Sequence, residues 1–128
     1  MARILVVDDD PKMIELIGSV LEVKGHSIEA INDGQTALSR LGVEPRAYAE
    51  LPDLVILDLV MPRLDGFTVA SRLNACESTR RIPIIILTGK GEQMRHFFKD
   101  HPNVKVFLEK PVNLVELVDS ATALTKRV

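Results

Sequence analysis

Five residues of this chain could do chemistry together if the fold gathers them: Asp8, Asp9, Asp58, Thr88 and Lys110. Each follows a short apolar run. Asp8-Asp9-Asp10 follow Ile4-Leu5-Val6-Val7, Asp58 follows Leu54-Val55-Ile56-Leu57, Thr88 follows Ile84-Ile85-Ile86-Leu87, and Lys110 comes two residues after Val104 to Leu108. Singly, each has a plain reading: an aspartate after a strand is often a helix cap, a threonine a turn residue, a Lys-Pro pair a surface bend. Jointly they pose an electrostatic problem. Crowded carboxylates repel by roughly 4 kcal/mol per close pair at an effective dielectric of about 20. A hard divalent cation with an oxygen shell resolves it, and Mg²⁺ is typically held by one or two carboxylates with waters and a phosphate. With Lys110 as a second positive charge and Thr88 as a hydroxyl donor, the set suits a phosphoryl group, Asp58 being the nucleophile that forms an acyl phosphate.

The elements that must position these residues follow from the apolar pattern. Runs this short and β-branched read as strands buried on both faces, so Asp58 is expected at the carboxyl end of a central strand, facing the ligand crevice of an open α/β sheet. Pro62 and Asp65-Gly66 enforce a loop after it. Asp10-Pro11 is the pairing of an N-cap and a first helical residue, and Met13, Ile14, Ile17, Val20 and Leu21 recur at helical spacing until Gly25. Ser27 to Ile31 alternates weakly, with Ile28 and Ala30 about Glu29, as an outer strand would. Asn32-Asp33-Gly34 is a turn signal before a second helix containing Leu38 and Leu41, which Pro45 is expected to end or kink. The piece from Val43 to Leu51 has no clear period.

Asp65 is expected to cap a third helix with Phe67, Ala70 and Leu73 on one face. After Thr88, Gly89-Lys90-Gly91-Glu92 is a flexible polar piece, and Met94, Phe97 and Phe98 then mark the core face of a short fourth helix. Val104 to Leu108 makes a fifth strand. Asn113 with Glu116 begins a last amphipathic helix through Leu117, Ala121 and Leu124. Five alternations of strand and helix predict a doubly wound, three-layer α/β sandwich: a flavodoxin-like parallel sheet of order 2-1-3-4-5 with five helices.

The chain has 128 residues, 46% hydrophobic and 27% charged, which fits one ordered domain over residues 1–128. Its formal charge of −2 gives no support for direct nucleic-acid binding. Cys76, the only cysteine, excludes an internal disulfide and a multi-thiolate metal site. The amino-terminal apolar run is too short for a signal peptide or a membrane span, so the expected location is cytoplasmic. His26, His96 and His101 have no mutual spacing that suggests catalysis and are read as surface residues.

From ILVVDDD through DLVILDLVMPRLDG and IPIIILTG to FLEKP, essentially the whole chain resembles a response-regulator receiver domain of two-component signalling. That resemblance implies that Asp58 is the phosphoacceptor, served by a histidine kinase or phosphotransfer protein. It implies Mg²⁺ on Asp9 and Asp58 directly, on Asp8 through water, and on the Val60 main-chain carbonyl. Lys110 would pair with the phosphoryl oxygens, Thr88 would move to hydrogen-bond them, and the Lys110-Pro111 peptide would be cis. Phe107 matches the switch aromatic, and the fourth helix, fifth strand and fifth helix would form the face read by a downstream effector protein, with Lys90, Arg95, Lys99 and Lys105 as a positive rim.

The sequence also departs from the family pattern. Phe107 lacks a tyrosine hydroxyl, Gly89 stands where alanine is usual, and the segment between Gly34 and Asp58 is longer than usual. Val60 and Lys90 hold the two variable positions beside the phosphoryl group, and an apolar Val60 cannot orient a hydrolytic water, which implies a long-lived phosphoryl group. Two other readings compete. An aspartate-nucleophile phosphatase needs an acid two residues after the nucleophile, where Val60 stands. A phosphorylation-independent pseudo-receiver that only docks other proteins is opposed by the complete set Asp8, Asp9, Asp58, Thr88 and Lys110. No Walker loop or GxGxxG follows any strand, so nucleotide binding has no motif.

Overall fold

The computed structural model describes residues 1–126, with backbone alone for Gly91 and Glu92; residues 127 and 128 of the expected domain lie outside the described residues. The chain runs β1 (Arg3–Val7), α1 (Pro11–Val23), β2 (Ser27–Ile31), α2 (Gly34–Arg40), β3 (Leu54–Asp58), α3 (Gly66–Ala75), β4 (Ile84–Thr88), a 3₁₀ helix (Gly91–Phe98), β5 (Val104–Glu109) and α4 (Leu114–Thr125). All strand pairs are parallel, in the order β2-β1-β3-β4-β5. This is the expected doubly wound topology, with the weakly alternating β2 at one edge.

Alternation along the central strands divides the core in two. Leu5, Val7, Val55, Leu57, Ile84 and Ile86 face α2, α3 and the 3₁₀ helix, against Leu38, Val69, Leu73 and Phe98. Ile4, Val6, Leu54, Ile56, Ile85 and Leu87 face α1 and α4, against Ile17, Leu21, Leu117 and Ala121. Residues of β3 and β4 are buried throughout, which is why these runs are apolar without a polar alternate.

The helix starts are those the sequence marks. Side chains of Asp10, Asp33, Asp65 and Asn113 accept from the backbone N–H groups of Lys12, Thr36, Thr68 and Glu116, satisfying donors that the first turn leaves open. Gly25, at φ 91°, follows α1 as expected.

Four expectations change. The fourth helix is 3₁₀ rather than α, and its three-residue period separates Phe97 from Phe98: Phe98 is buried and Phe97 is 58% exposed. Glu92, in the expected polar piece, has its side chain outside the described residues. On α3, Val69 takes the core place expected of Phe67, which lies at the surface. The second helix stops before Pro45, because Leu41 is its C-cap and Gly42 turns the chain at φ 72° with its Cα side closed by the Ala47 carbonyl. Finally, two histidines are not free surface residues. His101 is half-buried, its Nε2 lies 2.7 Å from Ser71 Oγ, and it packs on Phe67 and Phe98. His26 is also half-buried, and its Nδ1 accepts from the Ala2 N–H at 3.2 Å. The Val43–Leu51 stretch, which could be an extra helical turn or an irregular loop by its sequence, is irregular, tied down by Arg72 to Glu44 and by Arg40 to the Glu50 carbonyl.

Candidate functional site

Strand register builds the site. Val7 pairs with Leu57, so the next residues, Asp8 and Asp58, emerge side by side. Asp58 pairs with Leu87, which puts Thr88 one step beyond it, and Thr88 pairs with Glu109, which puts Lys110 one step further. Backbone hydrogen bonds extend the ladder past the strand ends: Asp8 N–H donates to Ile31 O at 3.1 Å, Leu59 N–H to Leu87 O at 2.9 Å, and Lys110 N–H to Thr88 O at 2.8 Å. The sheet therefore fixes all four residues at its carboxyl rim.

Behind Asp58, α3 comes so close that only glycine fits at position 66. A Cβ there would lie 2.4 Å from the Asp58 carbonyl oxygen, and the Gly66 N–H donates to Leu59 O at 2.9 Å. The turn after Asp58 is thus clamped between the sheet and the first residue of α3.

One carboxylate oxygen each from Asp8, Asp9 and Asp58 lie within 4.8 Å of one another. Asp8 and Asp58 are buried while Asp9 is exposed. Lys110 Nζ sits 3.0 Å from Asp58 Oδ1 and 3.8 Å from Asp8 Oδ2. At 3.8 Å the latter is an ion pair but too long for a hydrogen bond, and Asp8 Oδ2 is a buried acceptor without a hydrogen-bond partner. Asp8 Oδ1, by contrast, accepts from the Asp10 N–H at 2.9 Å.

Burial pushes the Asp8 carboxyl up to about 6, helped by the charge of Asp58 and only partly offset by the Asp10 hydrogen bond and by Lys110. Lys110 is held above its ordinary value: burial works against its charge, but the hydrogen bond and charge of Asp58 and the charges of Asp8 and Asp10 prevail. One lysine thus serves two buried acids, and an acceptor oxygen is left over. An all-oxygen donor set with an unsatisfied buried carboxylate fits a hard divalent cation such as Mg²⁺.

Thr88 is buried, and its hydroxyl oxygen accepts from the Lys90 N–H at 3.1 Å, leaving its own proton to donate. Val60 N–H reaches Asp58 Oδ1 at 3.4 Å, while the Val60 side chain is 74% exposed beside the site. The Lys110-Pro111 peptide is cis, as expected. Phe107 is buried and packs against Phe98, their ring centroids 5.4 Å apart. Two contacts here have no signature in the sequence. The Arg95 guanidinium, expected only as part of a positive rim, lies over the Phe107 ring at 4.9 Å. Phe98 bridges Phe107 to Phe67 and His101.

A 2-1-3-4-5 parallel sheet whose carboxyl rim collects three carboxylates, a hydroxyl and a lysine defines a flavodoxin-like signalling class. The chain belongs to the response regulator receiver domain family, whose model matches residues 4–122. It is 34% identical over 127 residues to the DNA-binding dual master transcriptional regulator RpaA of Synechocystis, covering 99% of this chain and 50% of RpaA. It is 35% identical over 124 residues to protein PilH of Pseudomonas aeruginosa, covering 97% of this chain and 98% of PilH. The chain thus spans about half of one of these relatives, and 26% of a third, the response regulator PleD of Caulobacter vibrioides. Among solved structures it superposes on the Francisella response regulator 1452 receiver domain with a TM-score of 0.83 at 26% identity, covering 99% of this chain and 98% of that one. The Vibrio cholerae chemotaxis protein CheY4 gives a TM-score of 0.80 at 25% identity, covering 97% and 98%. The protein is a receiver domain of two-component signalling. Among the described residues no helix is long and apolar enough to cross a membrane.

Proposed function

We propose that this receiver works as a phosphorylation-controlled switch with Asp58 as the phosphoacceptor. A carboxylate oxygen of Asp58 attacks the phosphorus of a phosphohistidine on a kinase or phosphotransfer protein. The P–N bond breaks, its electron pair leaves with the imidazole nitrogen, which takes up a proton, and an acyl phosphate forms. Mg²⁺ bound by Asp8, Asp9, Asp58 and the Val60 carbonyl would offset the carboxylate repulsion and neutralise charge on the phosphoryl oxygens.

The chain's own residues do the rest. Lys110, already 3.0 Å from Asp58 Oδ1, exchanges that contact for one to the incoming phosphoryl oxygens. Thr88 donates its hydroxyl proton to the same group. The resulting pull on the end of β4 biases a two-state equilibrium in which Phe107 and the face formed by the 3₁₀ helix, β5 and α4 rearrange, and a downstream effector protein reads that face. The observation that carries this reading is the buried Asp8–Asp58 pair sharing one lysine with a carboxylate oxygen unsatisfied. Intact mass after incubation with acetyl phosphate and Mg²⁺ tests it: one phosphoryl group should be gained by the wild type and none by Asp58→Asn. Equal gain by both would place the chemistry elsewhere.

A further inference from the structure

α1 and α4 lie side by side over the core that contains Ile17, Leu21, Leu117 and Ala121. Their outer surfaces leave an open groove of about 360 Å³. Val20, Leu114 and Val118 form its floor, half-buried against that core, while Val23 and Val115 stand 83% and 71% exposed at its rim. The apolar surface continues along α1, because Leu16, Val20 and Val23 are spaced i, i+4 and i+7 and so share a helical face beside the core-facing Ile17 and Leu21. A helix serving only its own core would be polar there, and exposed apolar residues clustered around a concave surface mark an interaction site.

Two charges line this groove, and they have opposite signs on opposite walls: Lys24 at the end of α1 and Asp119 on α4. Both are exposed, and neither has an ion-pair partner among the described residues. A partner of one sign would satisfy one wall and be repelled by the other. A second copy of the chain carries both charges at the required separation. A twofold axis running along the groove lays α1 of each copy on α4 of the other, since in such an interface residue i meets j and j meets i. Lys24 of each copy then faces Asp119 of the other, and Val23 packs against the wall of Val115 and Val118.

We propose that the α1–α4 groove is the surface through which two copies of this chain associate about a twofold axis. Lys24 and Asp119 set the register, and the valines supply the buried apolar area. The surface is present without phosphorylation, so the proposal does not rest on chemistry at Asp58.

Sedimentation velocity of the full chain, without a phosphodonor and from micromolar to millimolar concentration, should show monomer giving way to dimer. Lys24→Glu and Asp119→Lys should each weaken association by at least about tenfold, because like charges then face each other across the axis. Mixed in equal amounts, these two variants should associate as the wild type does, since every cross-axis contact again joins opposite charges. Val23→Ser should also cost at least about tenfold; its exposure lets the fold survive, which circular dichroism checks. A mixture of the two charge variants that stays monomeric would overturn the proposal, as would a dimer indifferent to these substitutions. A monomer across the whole concentration range would overturn it too, and would leave the groove to a different protein.

Discussion

Asp8 holds an ionisable group in a place that favours its neutral form. Burial raises its carboxyl to about 6 against an ordinary 3.8, so in metal-free buffer the folded state binds a proton that the unfolded state releases. Its contribution to stability is then full below about pH 4 and is lost as pH rises through about 6. Asp8→Asn removes that dependence. Urea denaturation in chelator should show the variant gaining on the wild type from about pH 4 to about pH 6.5 and holding that gain above, with an upper bound of about 3 kcal/mol. The same variant should bind Mg²⁺ more weakly. A stability difference that stays constant with pH would show that Asp8 does not titrate in this window. Val60 makes a second prediction at this scale. Its exposed apolar side chain offers no group to orient water beside Asp58, so the acyl phosphate should be slow to hydrolyse. Val60→Glu supplies a base and should shorten the lifetime by about tenfold, less than a well-placed general base achieves, measured by decay of the phosphorylated species in Mg²⁺ buffer. Fast hydrolysis in the wild type would defeat that account.

Elements place these residues through register and close approach. The β3–α3 turn is held because Gly66 meets the Asp58 carbonyl where a Cβ would lie at 2.4 Å. Gly66→Ala must push α3 or the Asp58 backbone aside, with a stability loss of about 1–3 kcal/mol and a weakened Mg²⁺ affinity, read by denaturation and by calorimetric titration. An unchanged Mg²⁺ affinity would mean that the turn tolerates the shift. How much of this is legible in the sequence depends on the kind of interaction. Continuous apolar runs such as Leu54–Leu57 and Ile84–Leu87 announce buried strands directly, and the caps Asp10, Asp65 and Asn113 announce helix starts, because both depend on residues near in sequence. The 3₁₀ helix escapes such a reading because Met94, Phe97 and Phe98 stand at i, i+3 and i+4, the spacing of an α-helical face, whereas the observed period of three leaves Phe97 with Met94 and turns Phe98 towards Phe107. The same limit hides Arg95 over Phe107 and His101 against Ser71. These are tertiary contacts between residues with no local signature.

At the scale of the molecule, two cores fix a sheet whose carboxyl rim gathers Asp8, Asp9, Asp58, Thr88 and Lys110, while the side chains that would transmit a change lie on one face of that sheet. Phe107 and Phe98 belong to the core that contains Leu57 and Ile86, and Phe67 packs on Phe98 at its surface. A perturbation at the end of β4 thus has a packed path to the 3₁₀ helix and β5. Amide NMR of the full chain with beryllofluoride and Mg²⁺, a stable mimic of the phosphoryl group, tests the switch most directly. Shifts should appear at Asp58, Thr88 and Lys110, extend through the 3₁₀ helix to Phe107, and vanish in Asp58→Ala. Spectra unchanged by beryllofluoride in the wild type, or an equal response in Asp58→Ala, would contradict the assignment of Asp58 as the phosphoacceptor.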